Sequence, residues 1–326
     1  MMKQKILILA VLSLAVLFGL AAEWQRLRPS RIVAVIPETT AQELWEGEHA
    51  GASHAAHKNG WKVYWNGPSR IEDFPGQVQI VRRVISRKVL ALVLSPDHDV
   101  VLISAVREAL AHNIPTVIVG TPLAISPGNG LSYVLNDDHA GGRMAAEYAV
   151  HFLKPGDGVL VLGINPNLLG SVEMADSFEA CLSQLMPGVR IEERHGTSDS
   201  AAEAEEYTEQ RLRADPKMRL VLALNVEQSR AGYAALMNAK AQNRAHLIGY
   251  GQDLDLLHHL RYGGMDAVIA QDTNQMGEIA INNVAQQLQH LTYSNLRYVA
   301  PVLVTRQNVD DSEVQRVLSM DWRVQP

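Results

Sequence analysis

Asp137, Asp138 and His139 follow one another, and a carboxylate beside an imidazole is the pairing that general acid–base chemistry uses. His54 and His57 stand three residues apart with His49 before them, a spacing that puts imidazoles on one helix face where a metal could bind. His258-His259 is a further pair. Each has a plainer reading, which we prefer: a helix cap for the first, a solvated helix face for the second, helix surface for the third. The single cysteine, Cys181, excludes an internal disulfide and any multi-cysteine zinc or iron–sulfur site. It sits in a helical pattern, Ser177 to Leu182, where a free thiol behaves as a small buried hydrophobe. No Gly-x-Ser-x-Gly, P-loop or Gly-x-Gly-x-x-Gly string occurs. The residues therefore imply no cofactor and no metal, and an α/β enzyme is the least favoured class.

The elements that must position any site alternate regularly. Ile32-Val33-Ala34-Val35-Ile36 is a continuous apolar run, as in a strand buried on both faces. A helical pattern follows from about 41 to 58, ending at Asn59-Gly60. Strands are expected at 61–65, 90–94, 115–119 and 131–135, with helices at about 75–87 and 99–112 between them. The cycle restarts with a helix over 139–153 and a strand over 159–162. A helix then begins near Ser171, read as its N-cap. Further strands fall at 189–193, 220–224, 246–250, 267–270 and 302–305, separated by helices, the last of them over 273–291. A polar tail ends the chain. Strands alternating with helices mean parallel sheets covered on both faces, and the count suggests two similar lobes rather than one sheet.

Composition supports a globular, non-nucleic-acid-binding chain: 47% hydrophobic and 20% charged residues over 326 positions, with a net charge of -6. Lys3 and Lys5 precede an uncharged run from Ile6 to Ala22, the pattern of an export signal. Residues 1–22 are expected to be a cleaved signal peptide, or an uncleaved anchor to the inner membrane. Either places the remainder in the periplasm or another extracytoplasmic space.

Several strings in order resemble the ribose-binding-like periplasmic sugar-binding proteins, a family related to the effector domains of lactose-repressor-type transcription factors. These are Leu92-Val93-Leu94-Ser95-Pro96 with Asn113-Ile114-Pro115-Thr116-Val117, the crossover string Tyr133 to Arg143, Val268-Ile269-Ala270-Gln271-Asp272 with Gln275-Met276-Gly277, and Pro301 to Thr305 with Asn308-Val309. No helix-turn-helix precedes the core, which separates this chain from the repressors. The resemblance implies an α/β fold of two Rossmann-like lobes with parallel sheets joined by a three-strand hinge, the type I periplasmic binding protein fold. It implies a first lobe of 31–136 plus 272–300 and a second of 137–271 plus 301–326. It also implies capture of a small polar ligand, a sugar or polyol, for an ABC-type transporter permease. A membrane-tethered sensory module of the same fold, signalling to a partner protein, is the alternative.

Open parallel sheets bind ligands at the carboxyl ends of their strands. On the family topology, Ser95, Asp97, Thr121, Asn136, Asp137, Asn225, Tyr250 and Gln271 become the candidate ligand-binding residues, with Trp45 on the first helix. Asn136, Asn225 and Gln271 supply planar amides, and Tyr250 or Trp45 an aromatic face, as a sugar requires. The chain departs from the family at the polar anchors. Gln42-Glu43-Leu44-Trp45 stands for an Asn-Pro-Phe-Phe-like string, Gly120-Thr121 for an Asp-Arg pair, Gly249-Tyr250-Gly251 lacks the usual carboxylate, and Val172 replaces an Arg. The cleft is therefore expected to be poor in charge, with binding that depends on neutral amides and little on salt.

Overall fold

The computed structural model describes residues 31–41, 44–196 and 200–318. The expected leader at 1–22 lies outside these residues. The first lobe is built on a six-stranded sheet in the order β11-β5-β4-β3-β1-β2. Its strands are β1 (Ile32–Ile36), β2 (Lys62–Trp65), β3 (Ala91–Leu94), β4 (Thr116–Gly120), β5 (Leu131–Asn136) and β11 (Leu296–Val299). The second lobe's sheet, also six-stranded, runs β12-β10-β9-β8-β6-β7. It comprises β6 (Gly158–Ile164), β7 (Arg190–His195), β8 (Met218–Ala223), β9 (His246–Tyr250), β10 (Ala267–Ala270) and β12 (Val302–Thr305). All pairings are parallel except that of β10 with β12.

The alternation of side chains along β1 sets the layering of the first lobe. Val33 and Val35 pack on one face with Ala52 and Ile281, while Ala34 and Ile36 pack on the other with Val81, Val84 and Val106. In β6 the same rule sends Val159 and Val161 toward Phe178 and Leu182, and Leu160 and Leu162 toward Leu212 and Leu236. Both sheets are thus covered by helices on both faces, which is why their strands read as unbroken apolar runs.

The first lobe pairs α1 (Leu44–Lys58) with a late helix, α9 (Thr273–Leu288), which follows β10 of the other sheet. They approach so closely that a Cβ added at Gly51 would sit 1.9 Å from the Asn274 carbonyl oxygen. The second lobe repeats the device with α4 (Asp138–Ala149) and α5 (Leu169–Leu185), where a Cβ at Gly142 would lie 2.4 Å from the Met174 carbonyl. The chain passes from the first sheet to the second after β5 and again between β11 and β12, and it returns to the first lobe between β10 and α9.

Three details differ from expectation. β11 is an edge strand, paired only with β5 and with Leu296 and Tyr298 exposed, so Leu-Arg-Tyr-Val carried no buried-strand signature. The polar tail contains α10 (Ser312–Leu318), whose Val314, Val317 and Leu318 join the second lobe's core. Ser171 is not an N-cap: α5 starts two residues earlier, and the Ser171 hydroxyl donates to the Asn165 and Leu168 carbonyls.

Candidate binding cleft

The carboxyl ends of the two sheets face a shared cleft of about 100 Å³, small beside the ~300–1,000 Å³ usual for small-ligand sites. Strand ends deliver most of its polar groups. Asn136 closes β5, Tyr250 closes β9, Gln271 follows β10, and Thr121 follows β4. Asn225 lies just before α7 (Val226–Asn238) and caps it, its Oδ1 accepting the Gln228 N–H at 2.8 Å. That bond commits the amide oxygen and leaves Nδ2 as the group Asn225 can present. Trp45, from the first turn of α1, lies beside Gly120, whose φ of 82° is a left-handed conformation that favours glycine. Trp45 is 5% exposed, and its Nε1 has no hydrogen-bond partner among the described residues.

The structure brings Trp45, Thr121, Asn136, Asn225, Tyr250 and Gln271 together around this space. It does not bring Ser95, Asp97 or Asp137 to the lining. Ser95 is buried beneath it, with its hydroxyl donating to Glu48 Oε2 at 2.8 Å. Asp97 is held behind Glu38, to which it is hydrogen-bonded, and its backbone N–H donates to Gln77 Oε1. Asp137 caps α4, its Oδ1 accepting the Ala140 N–H at 2.8 Å. The cap at this junction is thus Asp137, and its neighbour Asp138 turns into the cleft.

Glu38, Asp138, Asn165 and Glu227 line the cleft without having been singled out as ligand groups from the sequence. Glu38 follows Pro37 just past β1, and Asn165 sits in the Asn165-Pro166-Asn167 loop after β6, so both read as turn residues. The expectation of a charge-poor cleft is accordingly corrected. Gly120 and Gly251 do line it, but three carboxylates enter from neighbouring positions.

These carboxylates are electrostatically unusual. Burial pushes Asp138 up to about 7, with Glu173 and Asp137 adding to the shift and a hydrogen bond with Tyr250 opposing it. Burial also holds Glu38 well above the ordinary carboxylate range, with Asp97 next in effect and Glu227 and Glu72 contributing. Glu38 and Glu227 come from opposite lobes, and Glu227 across the cleft is one of the neighbours that raise Glu38. Tyr250 links the second lobe's groups: its hydroxyl accepts from Gln271 Nε2 and donates to the Asp138 carboxylate. Among the described residues no cluster of His, Cys, Asp and Glu is arranged to hold a metal, and the His49, His54 and His57 helix face is not such a cluster.

The periplasmic binding protein domain model matches residues 33–292. The D-apiose import binding protein of Actinobacillus succinogenes is 23% identical over 223 residues, spanning 68% of this chain and 69% of that protein. An ABC transporter solute-binding protein from Agrobacterium vitis, solved with bound α-D-tagatopyranose, superposes with a TM-score of 0.79 at 21% identity, covering 88% of this chain and 98% of that one. A carbohydrate transporter solute-binding protein from Agrobacterium radiobacter, in complex with D-arabinose, gives 0.79 at 21% identity, covering 89% and 99%. At these identities the solved structures establish a common fold.

Proposed function

The chain belongs to the periplasmic binding protein domain family, and we propose that it captures a sugar or polyol in the cleft between its lobes for delivery to an ABC-type transporter. One observation carries this reading: side-chain amides from both lobes, with the Trp45 and Tyr250 rings beside them, converge on one space at the carboxyl ends of both sheets. Trp45 and Tyr250 supply aromatic surface, and Thr121, Asn136, Asn165, Asn225 and Gln271 supply hydrogen bonds. Such a set suits a ring bearing several hydroxyl groups. The ligands of the apiose-, tagatose- and arabinose-binding relatives belong to the same chemical class.

The lobes are assigned as 31–136 with 272–300 and 137–271 with 301–326, hinged where the chain passes between them. Closure about this hinge wraps the ligand and excludes water. The chain is a binder rather than a catalyst, and its site is extracytoplasmic, with residues 1–22 removed on export. No helix among the described residues is long and apolar enough to cross a membrane. The tethered sensory module differs in one respect that can be measured: it retains those residues, so N-terminal sequencing of the exported protein separates the two. The ligand reading is tested by a thermal-shift screen against pentoses, hexoses and polyols, because a ligand bound to the native state raises its melting temperature by mass action. A saturable rise with at least one of them is expected, and no rise with any of them overturns it.

A further inference from the structure

Gln271 is held at both ends. Its side-chain Nε2 donates to the Tyr250 hydroxyl, and its backbone carbonyl accepts from Gln252 Nε2 at 2.7 Å. The same Gln252 nitrogen donates to the Val317 carbonyl of α10 at 2.9 Å. Gln252 is 1% exposed and is not among the residues that line the cleft. Bridging two carbonyls from one atom takes a nitrogen with two protons, which a primary amide supplies and a carboxylate does not. The amide cannot be turned over, because its Oε1 would then face two carbonyl oxygens. Oε1 stays buried with no partner among the described residues. A buried acceptor left unsatisfied costs stability, and the two donated bonds offset that cost. The next residue is gripped by the same helix. Asp272, 4% exposed, caps α9 by accepting the Gln275 N–H at 2.9 Å and pairs with Arg316 of α10 at 2.9 Å. Val314, Val317 and Leu318 seat α10 in the second lobe's core. The return crossing from β10 to α9 is therefore fastened to α10 at two consecutive residues.

Resting on the solute-binding reading above, we propose that Gln252 is a positioning residue for the ligand: by tying Gln271 to α10 it sets where the Gln271 amide meets the ligand, and Arg316 fixes the same crossing through Asp272. A shift of about 1 Å takes a hydrogen-bonding pair out of range, so affinity depends on residues that the ligand does not reach.

Gln252→Met nearly keeps the side chain's length and removes both donated bonds. NMR of the ligand-free protein, isotope-labelled on its glutamine side chains, reads the first consequence. In the variant the Gln271 amide signals should move and exchange faster with water, while those of Gln77, whose Nε2 is bonded to Pro37 and Ser95 carbonyls in the first lobe, stay in place. Unmoved Gln271 signals would overturn the inference whether or not any sugar binds. Calorimetry with D-apiose, D-tagatose, D-arabinose and any further sugar or polyol that raises the melting temperature reads the second. Gln252→Met should weaken binding about fivefold or more, but add less than about twofold in a Gln271→Ala background, because it acts through that residue. Arg316→Ala should weaken binding as well, and Arg316→Lys, which keeps the ion pair, should restore it. Equal losses from Gln252→Met in both backgrounds would make Gln252 a structural residue and overturn the inference, leaving the solute-binding reading standing. Binding of no sugar or polyol would remove that reading, and the NMR comparison would still decide whether Gln252 sets the place of Gln271.

Discussion

Tyr250 donates its hydroxyl to the Asp138 carboxylate, joining the end of β9 to the start of α4 at the floor of the cleft. Tyr250→Phe keeps the ring and removes the donor. The variant should lose about 1–2 kcal/mol of stability, as expected when a buried group loses its hydrogen bond. The loss should grow as pH rises through 7: Asp138 is protonated below that point in the folded state and must carry its charge undonated above it. Urea denaturation at pH 6 and pH 8 reads both effects, and an equal loss at the two values would contradict the assignment.

A second pH dependence comes from Glu48. It is fully buried on α1, and burial pushes its pKa from 4.5 up to about 7 despite the hydrogen bond from Ser95. Because the folded-state value is raised, the folded protein holds the proton more tightly than the unfolded chain. Stability from this group is therefore present below pH 4.5 and lost as pH rises through 7. Glu48→Gln removes that loss and should stabilise the protein above pH 7 by up to about 3 kcal/mol. Parallel stability–pH curves for the variant and the wild type would refute this.

Asn225 has two separable roles. Asn225→Ala should cost about 1 kcal/mol of stability through the lost cap on α7 and weaken ligand binding about tenfold. Asn225→Asp keeps the capping oxygen but not the Nδ2 donor, so it should retain stability while binding remains weakened. Gln271→Ala should weaken binding with its cap-free site intact. Chemical denaturation beside calorimetry separates the two quantities, and full affinity in both Asn225→Asp and Gln271→Ala would place the ligand elsewhere.

The junction of α1 with α9 holds the late helix on the first lobe. Gly51→Ala would drive a methyl group into the Asn274 backbone, which cannot move alone. A loss of about 3 kcal/mol is expected from this overpacking, measured as a lower urea midpoint with an unchanged slope. A loss below about 0.5 kcal/mol would mean the two helices can separate freely.

The sequence was most legible where burial is two-sided. The runs at Ile32–Ile36 and Val159–Leu162 could only be central strands, because every residue between helices on both faces must be apolar. β11 was missed because a half-solvated edge carries no such run. In the cleft, Asn136, Tyr250 and Gln271 were readable as strand ends, since topology alone aims that edge at the gap. Glu38 and Asp138 were not. Glu38 lies beyond the strand in a turn, and Asp138 was indistinguishable from Asp137 as a cap until the backbone fixed which of them bonds the Ala140 N–H. Ser95 pointed the other way for a similar reason: Glu48, on a different element, takes its hydroxyl.

The central claim is that the two lobes close on a small hydroxylated ligand held between Asn136, Asn225, Tyr250 and Gln271. Small-angle X-ray scattering of the purified protein, with and without a saturating sugar or polyol that raises its melting temperature, tests this most directly. A smaller radius of gyration with ligand is predicted for the wild type, and none for a Gln271→Ala, Asn225→Asp double variant at the same ligand concentration. An unchanged radius in the wild type, or equal contraction in both proteins, would contradict the account.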